Sequence, residues 1–165
     1  MAKTKDLTFI ALMVALLIAV QFVLYALPGV ELVSVLLGTY AAANGRLRGV
    51  AVAVCYALLR NIVFGFYPDI VILYLIYFPL FALAMGSIKS KFYVFHVIVA
   101  VTATAFFSVL DAFIKQFFYG VKFLPYFYGS LPFMIPQMIT VTITYILLFP
   151  PLKILFDYLK KNMLK

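Results

Sequence analysis

The sequence contains no tryptophan, one cysteine (Cys55) and one histidine (His96) among its 165 residues. A single thiol excludes any disulfide within the chain, and one Cys with one His excludes a clustered Cys/His metal site. Charge is scarce as well. Charged residues make up 11% of the chain, and only 5 of them are acidic, against 13 Lys and Arg. No His-Glu-x-x-His pair, Gly-x-Ser-x-Gly elbow or phosphate loop is present, so nothing points to catalysis or to ATP binding by this chain, and no metal or cofactor is expected. What fills the space is apolar: 67% hydrophobic residues and a mean hydropathy of +1.17. Soluble domains are about half apolar and a quarter charged. No water-soluble fold hides so much apolar surface, and the chain reads as an integral membrane protein. Without Trp, its 12 tyrosines are the expected anchors at the membrane–water interfaces.

The length suits one membrane domain, residues 1–165. The opening Met-Ala-Lys-Thr-Lys-Asp resembles the start of a signal peptide. The apolar run behind it, however, is long enough to span and has no clean small-x-small cleavage site, so a retained helix is expected. Turn residues divide the remainder into apolar spans at about 7–27, 30–43, 50–64, 70–85, 92–118 and 131–148. Pro79 is a kink candidate in the fourth, and Pro150-Pro151 separates the sixth from an amphipathic lysine-bearing tail. The second and third spans are short of the roughly 20 residues needed to cross upright. They either borrow flanking residues or form a re-entrant pair, which would reduce the count to four.

Charge favours six. With a cytoplasmic N-terminus, Lys3, Lys5, Arg46, Arg48, Lys89, Lys91, Lys153, Lys160, Lys161 and Lys165 all fall inside, while Arg60, Lys115 and Lys122 fall outside. That is a positive-inside pattern with both termini cytoplasmic. The expected fold is an all-α bundle of six transmembrane helices in a plasma membrane. The basic residues are topology signals and partners for anionic lipid headgroups, and nothing reads as a nucleic-acid site.

Acids sort the other way. Asp6 and Asp157 lie inside, whereas Glu31, Asp69 and Asp111 fall toward the outside together with Arg60, Asn61, Lys115, Gln116 and Gln137. Ionisable groups at membrane depth are costly and usually face the protein interior or a cavity. Asp111 and Lys115 are four apart on one helix face and can pair, either as a structural staple or as part of a site. Arg60-Asn61 reads as a helix cap that binds lipid phosphate, or as part of the same site. Glu31 reads as a helix-start acid favoured by the dipole. The segment Tyr119–Gly129 carries Tyr119, Phe123, Tyr126, Phe127 and Tyr128, and reads as an interfacial belt or as an aromatic lid over a planar ligand. His96 lies far from this cluster and reads as a packed or interfacial histidine.

In the first span, Ala11, Ala15 and Ala19 recur every fourth residue, which stacks them on one helix face. Small residues let backbones approach closely in lipid, so the stripe packs either inside its own bundle or against another protein. The run Lys5-Asp-Leu-Thr-Phe-Ile-Ala-Leu-Met-Val-Ala-Leu-Leu-Ile-Ala19, with Leu27-Pro-Gly-Val-Glu31-Leu-Val-Ser34, Arg60-Asn61 and Gly65-Phe-Tyr-Pro-Asp69, resembles the substrate-binding S component of energy-coupling factor (ECF) transporters. That resemblance implies an Ala-x-x-x-Ala docking motif at Ala11 and Ala15, extended by Ala19. It also implies a vitamin bound at the outer face, a transmembrane scaffold subunit, two cytoplasmic ATPases, and toppling in the membrane to release cargo in a prokaryotic cell.

The candidate binding set is Glu31, Arg60, Asn61, Asp69, Asp111, Lys115, Tyr126 and Gln137. Such a mixture beside tyrosines suits a planar heteroaromatic molecule with hydroxyl or amine groups. A pyridoxine-like or other small heterocyclic vitamin fits best; a thiamin precursor, a queuosine-like base and the amides of a corrinoid suit the same groups. Two other classes remain: a secondary carrier driven by protons through Asp111, and a membrane enzyme acting on lipid or isoprenoid through Glu31, Asp69 and Asp111.

Overall fold

In hydrocarbon a backbone must satisfy its own hydrogen bonds, which leaves an apolar run of this kind the helix as its local solution. The computed structural model describes residues 4–25, 32–89 and 92–163. These form six helices: α1 (Thr4–Leu24), α2 (Leu32–Asn44), α3 (Arg46–Phe64), α4 (Pro68–Ser87), α5 (Val94–Tyr119) and α6 (Phe123–Met163), with no strand among the described residues. Five are long and apolar enough to cross a membrane.

The exception is α2. Its 13 residues make a rod of only about 20 Å, against a hydrocarbon core of about 30 Å. Helix α2 is the hub of the bundle, packed against α1, α3, α4 and α6, with nearly every residue from Val33 to Asn44 buried. Three glycines permit this. A Cβ on Gly49 would meet the Ala41 Cβ at 2.5 Å, and one on Gly86 would meet the Arg46 backbone at 2.6 Å. At Gly38 it would run into the Tyr145 hydroxyl, which donates a 2.9 Å hydrogen bond to the Ser34 carbonyl. Gly45, at a φ of 95°, reverses the chain between α2 and α3 in a single residue, a left-handed conformation that favours glycine.

Helix ends sort into two groups. Asp6 at the start of α1 pairs with Arg48 at the start of α3 at 3.0 Å. Lys160, late in α6, donates to the Ala43 carbonyl near the end of α2 at 2.8 Å. At the opposite end, Asp69 at the start of α4 meets Lys115 and Tyr119 at the end of α5. His96 is buried near the first end with its ring 4.5 Å from that of Phe149, a packed histidine as its sequence position suggests.

Two boundaries differ from the sequence reading. The third helix starts at Arg46, so its length is ample for a crossing. The sixth does not run from 131 to 148 followed by a separate tail. It is one helix of 41 residues that begins at Phe123 and continues through Pro132, Pro136, Pro150 and Pro151. Most of the proposed aromatic loop is thus its first turns, and the connection to α5 is only residues 120–122. Proline withholds one helical donor and crowds the preceding turn. In lipid, though, no water competes for the freed carbonyls, and the helix persists.

On α1, Phe9, Met13, Val14 and Leu17 are buried against the bundle. Ala11, Ala15 and Ala19 are exposed, since they lie half a turn of the helix away from that face. The stripe is not used to pack α1 into its own bundle.

Candidate functional site

The polar residues expected on the outer side do not form one cluster. They divide into three groups, and one of them lines a cavity of about 550 Å³ between α5 and α6. On α5, Phe107, Ser108 and Asp111 project into it; on α6, Tyr126, Ser130, Phe133 and Gln137 do so. Spacings of three and four put each set on one helix face. Gly129 also lines it, and an added Cβ there would meet no atom within 4 Å. Tyr126 donates a 2.8 Å hydrogen bond to Oδ2 of Asp111, bridging the two helices. Ser130 donates to the Phe127 carbonyl at 2.8 Å.

The second group is a lock between α4 and α5. Asp69 is 2% exposed and accepts from Lys115 Nζ at Oδ2 and from Tyr119 Oη at Oδ1, the latter at 3.1 Å. Lys115 thus pairs across to Asp69, not with Asp111 one turn before it. The expectation of an Asp111–Lys115 pair is corrected: the ammonium pairs with the more buried carboxylate, that of Asp69.

Arg60 and Asn61 form the third group, on α3. Arg60 is 9% exposed and lies between two rings, with its guanidinium carbon 4.8 Å from the Tyr74 centroid and 5.3 Å from that of Phe64. Its Nε has no hydrogen-bond partner among the described residues. The Asn61 amide donates to the Ala57 carbonyl at 2.6 Å. A buried guanidinium enclosed by aromatics is not a surface cap for lipid phosphate, so that reading is also corrected. Glu31 lies outside the described residues.

Of the eight sequence candidates, Asp111, Tyr126 and Gln137 therefore share the cavity, and Asp69, Lys115, Arg60 and Asn61 stand apart from it. Residues the sequence reading missed are Phe107, Ser108, Ser130, Phe133 and Gly129. Their helical spacing from Asp111 and Tyr126 was the available signal, and for the α6 residues it became readable only once the segment from Phe123 was helical. Among the described residues no three His, Cys, Asp or Glu side chains gather as a metal site. Chemically the cavity offers rings that suit a planar body, with one carboxylate and several oxygens beside them. Compared with known proteins, the chain matches no family model, no curated sequence and no solved structure.

Proposed function

We propose that this chain is the substrate-capture subunit of an importer of the energy-coupling-factor type. It takes a small heterocyclic micronutrient, pyridoxine-like in size, into the α5–α6 cavity from outside a prokaryotic cell. Delivery then depends on a membrane scaffold subunit and two cytoplasmic ATPases. The observation that carries the reading is the cavity itself: about 550 Å³, walled by aromatic rings and floored by Asp111, Tyr126 and Gln137. Pockets of a few hundred Å³ with an apolar lining and few polar groups suit ligands of this size. The exposed Ala11–Ala15–Ala19 face supports the docking half of the proposal, because small residues permit close and reversible helix contact in lipid.

Native mass spectrometry of the full chain, released gently from detergent, tests it. The expected result is a one-to-one adduct of a few hundred daltons, either retained from the cell or acquired from a vitamin panel. Gly129→Leu, whose added Cβ would meet no atom within 4 Å, puts bulk at the cavity and is expected to abolish the adduct while leaving the unfolding temperature unchanged. No adduct under either condition overturns the capture reading.

One observation favours a second reading. Asp111 presents a carboxylate to a cavity at membrane depth, as a proton-coupled carrier requires. That carrier would transport substrate with this chain alone in liposomes and would lose transport in Asp111→Asn. The capture subunit binds but does not transport alone.

A further inference from the structure

At the outer ends of α4 and α5 stand two carboxylates, Asp69 and Asp111, and the ammonium of Lys115 pairs with the first. Because Lys115 is committed to Asp69, Asp111 faces the cavity with no ion-pair partner among the described residues. Lys122, the other lysine at this end, is exposed on the α5–α6 connection and makes no ion pair there. Arg60 is enclosed by Phe64 and Tyr74. A carboxylate left at this depth is costly until a cation joins it.

The hydroxyls beside Asp111 sharpen the demand. Tyr126 spends its proton on Asp111 Oδ2, and Ser130 spends its own on the Phe127 carbonyl. Both oxygens therefore face a ligand as acceptors. Around these acceptors the rings of Phe107, Tyr126 and Phe133 supply faces that attract positive charge.

We propose that the cavity selects a cation: a planar aromatic or heterocyclic molecule carrying a protonated amine. The ammonium pairs with Oδ1 of Asp111, and the ring lies against Phe107 and Phe133. This rests on the reading of the cavity as a capture site, and it narrows the ligand to the amine-bearing members of the heterocyclic class. A carboxylate-bearing ligand would be repelled by Asp111.

Three probes of similar shape separate the charges: tryptamine (cation), tryptophol (neutral) and indole-3-acetate (anion). Each is titrated at neutral pH into the full chain in detergent, with binding read by calorimetry and by thermal shift. Tryptamine is expected to bind about tenfold or more tightly than either of the others, the scale of one partly desolvated ion pair. Asp111→Asn should erase that preference, and Asp111→Glu should keep it. The order of the three probes on the wild-type chain decides the matter even if a variant fails to fold. Equal affinities, a preference for indole-3-acetate, or a tryptamine affinity unchanged in folded Asp111→Asn overturns the charge assignment and leaves the capture reading standing. No binding by any probe at millimolar concentration overturns both.

Discussion

Asp69 shows how a single buried charge sets the consequence of mutating its neighbours. It is almost wholly enclosed and is satisfied from two directions, by Lys115 and by Tyr119. Removing one partner of a buried pair leaves an uncompensated charge, whereas replacing both can be nearly neutral. Lys115→Met is therefore expected to destabilise the fold by about 2–4 kcal/mol, somewhat below the fully buried case because the lysine is partly exposed. The double variant Asp69→Asn with Lys115→Met should recover most of that loss. Thermal unfolding of the four proteins in one detergent checks the cycle. Recovery by the double variant is the decisive sign, since additive losses would mean that the pair is not a unit. The same residues mark how far the sequence could be read. Spacing along α5 reveals which groups on that helix face one another, so Asp111 and Lys115 looked like natural partners. It is silent on Asp69, which is 46 residues away and reaches Lys115 only through the packing of α4 on α5. Arg60 was misjudged for a similar reason: its depth depends on Tyr74, a residue of another helix.

At the scale of helices, small residues do two different jobs. Gly38, Gly49 and Gly86 bring backbones together inside the bundle, while the alanines of α1 face away from it. Gly86→Ala places a methyl against the rigid Arg46 backbone and should cost about 1–3 kcal/mol, the usual range for overpacking. Ala15→Leu adds bulk to an open face and should shift stability by no more than about 0.5 kcal/mol. Ligand binding by Ala15→Leu should also survive, but uptake in cells that supply the energising subunits should fail. Loss of binding together with uptake would show that the stripe serves the fold instead. Helix positions were largely legible, because hydropathy and length dominate in lipid. The Ala stripe was legible as a stripe, but its direction was not: spacing shows that three residues share a face and leaves open which neighbour that face meets. The sixth helix was the main misreading. Pro150-Pro151 ends helices in water, where freed carbonyls gain solvent, and that preference does not carry over to hydrocarbon.

For the whole molecule, the grouping of helix ends yields a labelling prediction. With the cavity outward, Lys122→Cys in a Cys55→Ala background should react with a membrane-impermeant maleimide on intact cells, whereas Asn162→Cys should react only after permeabilisation. The reverse pattern would place the cavity inside and remove the capture function. The shortness of α2 has another consequence, which concerns synthesis. A rod of about 20 Å cannot hold itself across about 30 Å of hydrocarbon, so insertion of this segment is left to its neighbours. One of its main supports, α6, is made after the other five helices. Until then α2 has only part of its final surroundings, and its burial is a late event of biogenesis that follows the insertion of longer helices on either side of it in the chain. A chain stopped at residue 122 should consequently expose residues 32–44 to protease, while the full chain protects them. If the short chain protects them equally, α1, α3 and α4 suffice to seat the hub, and α6 merely closes over a helix already in place.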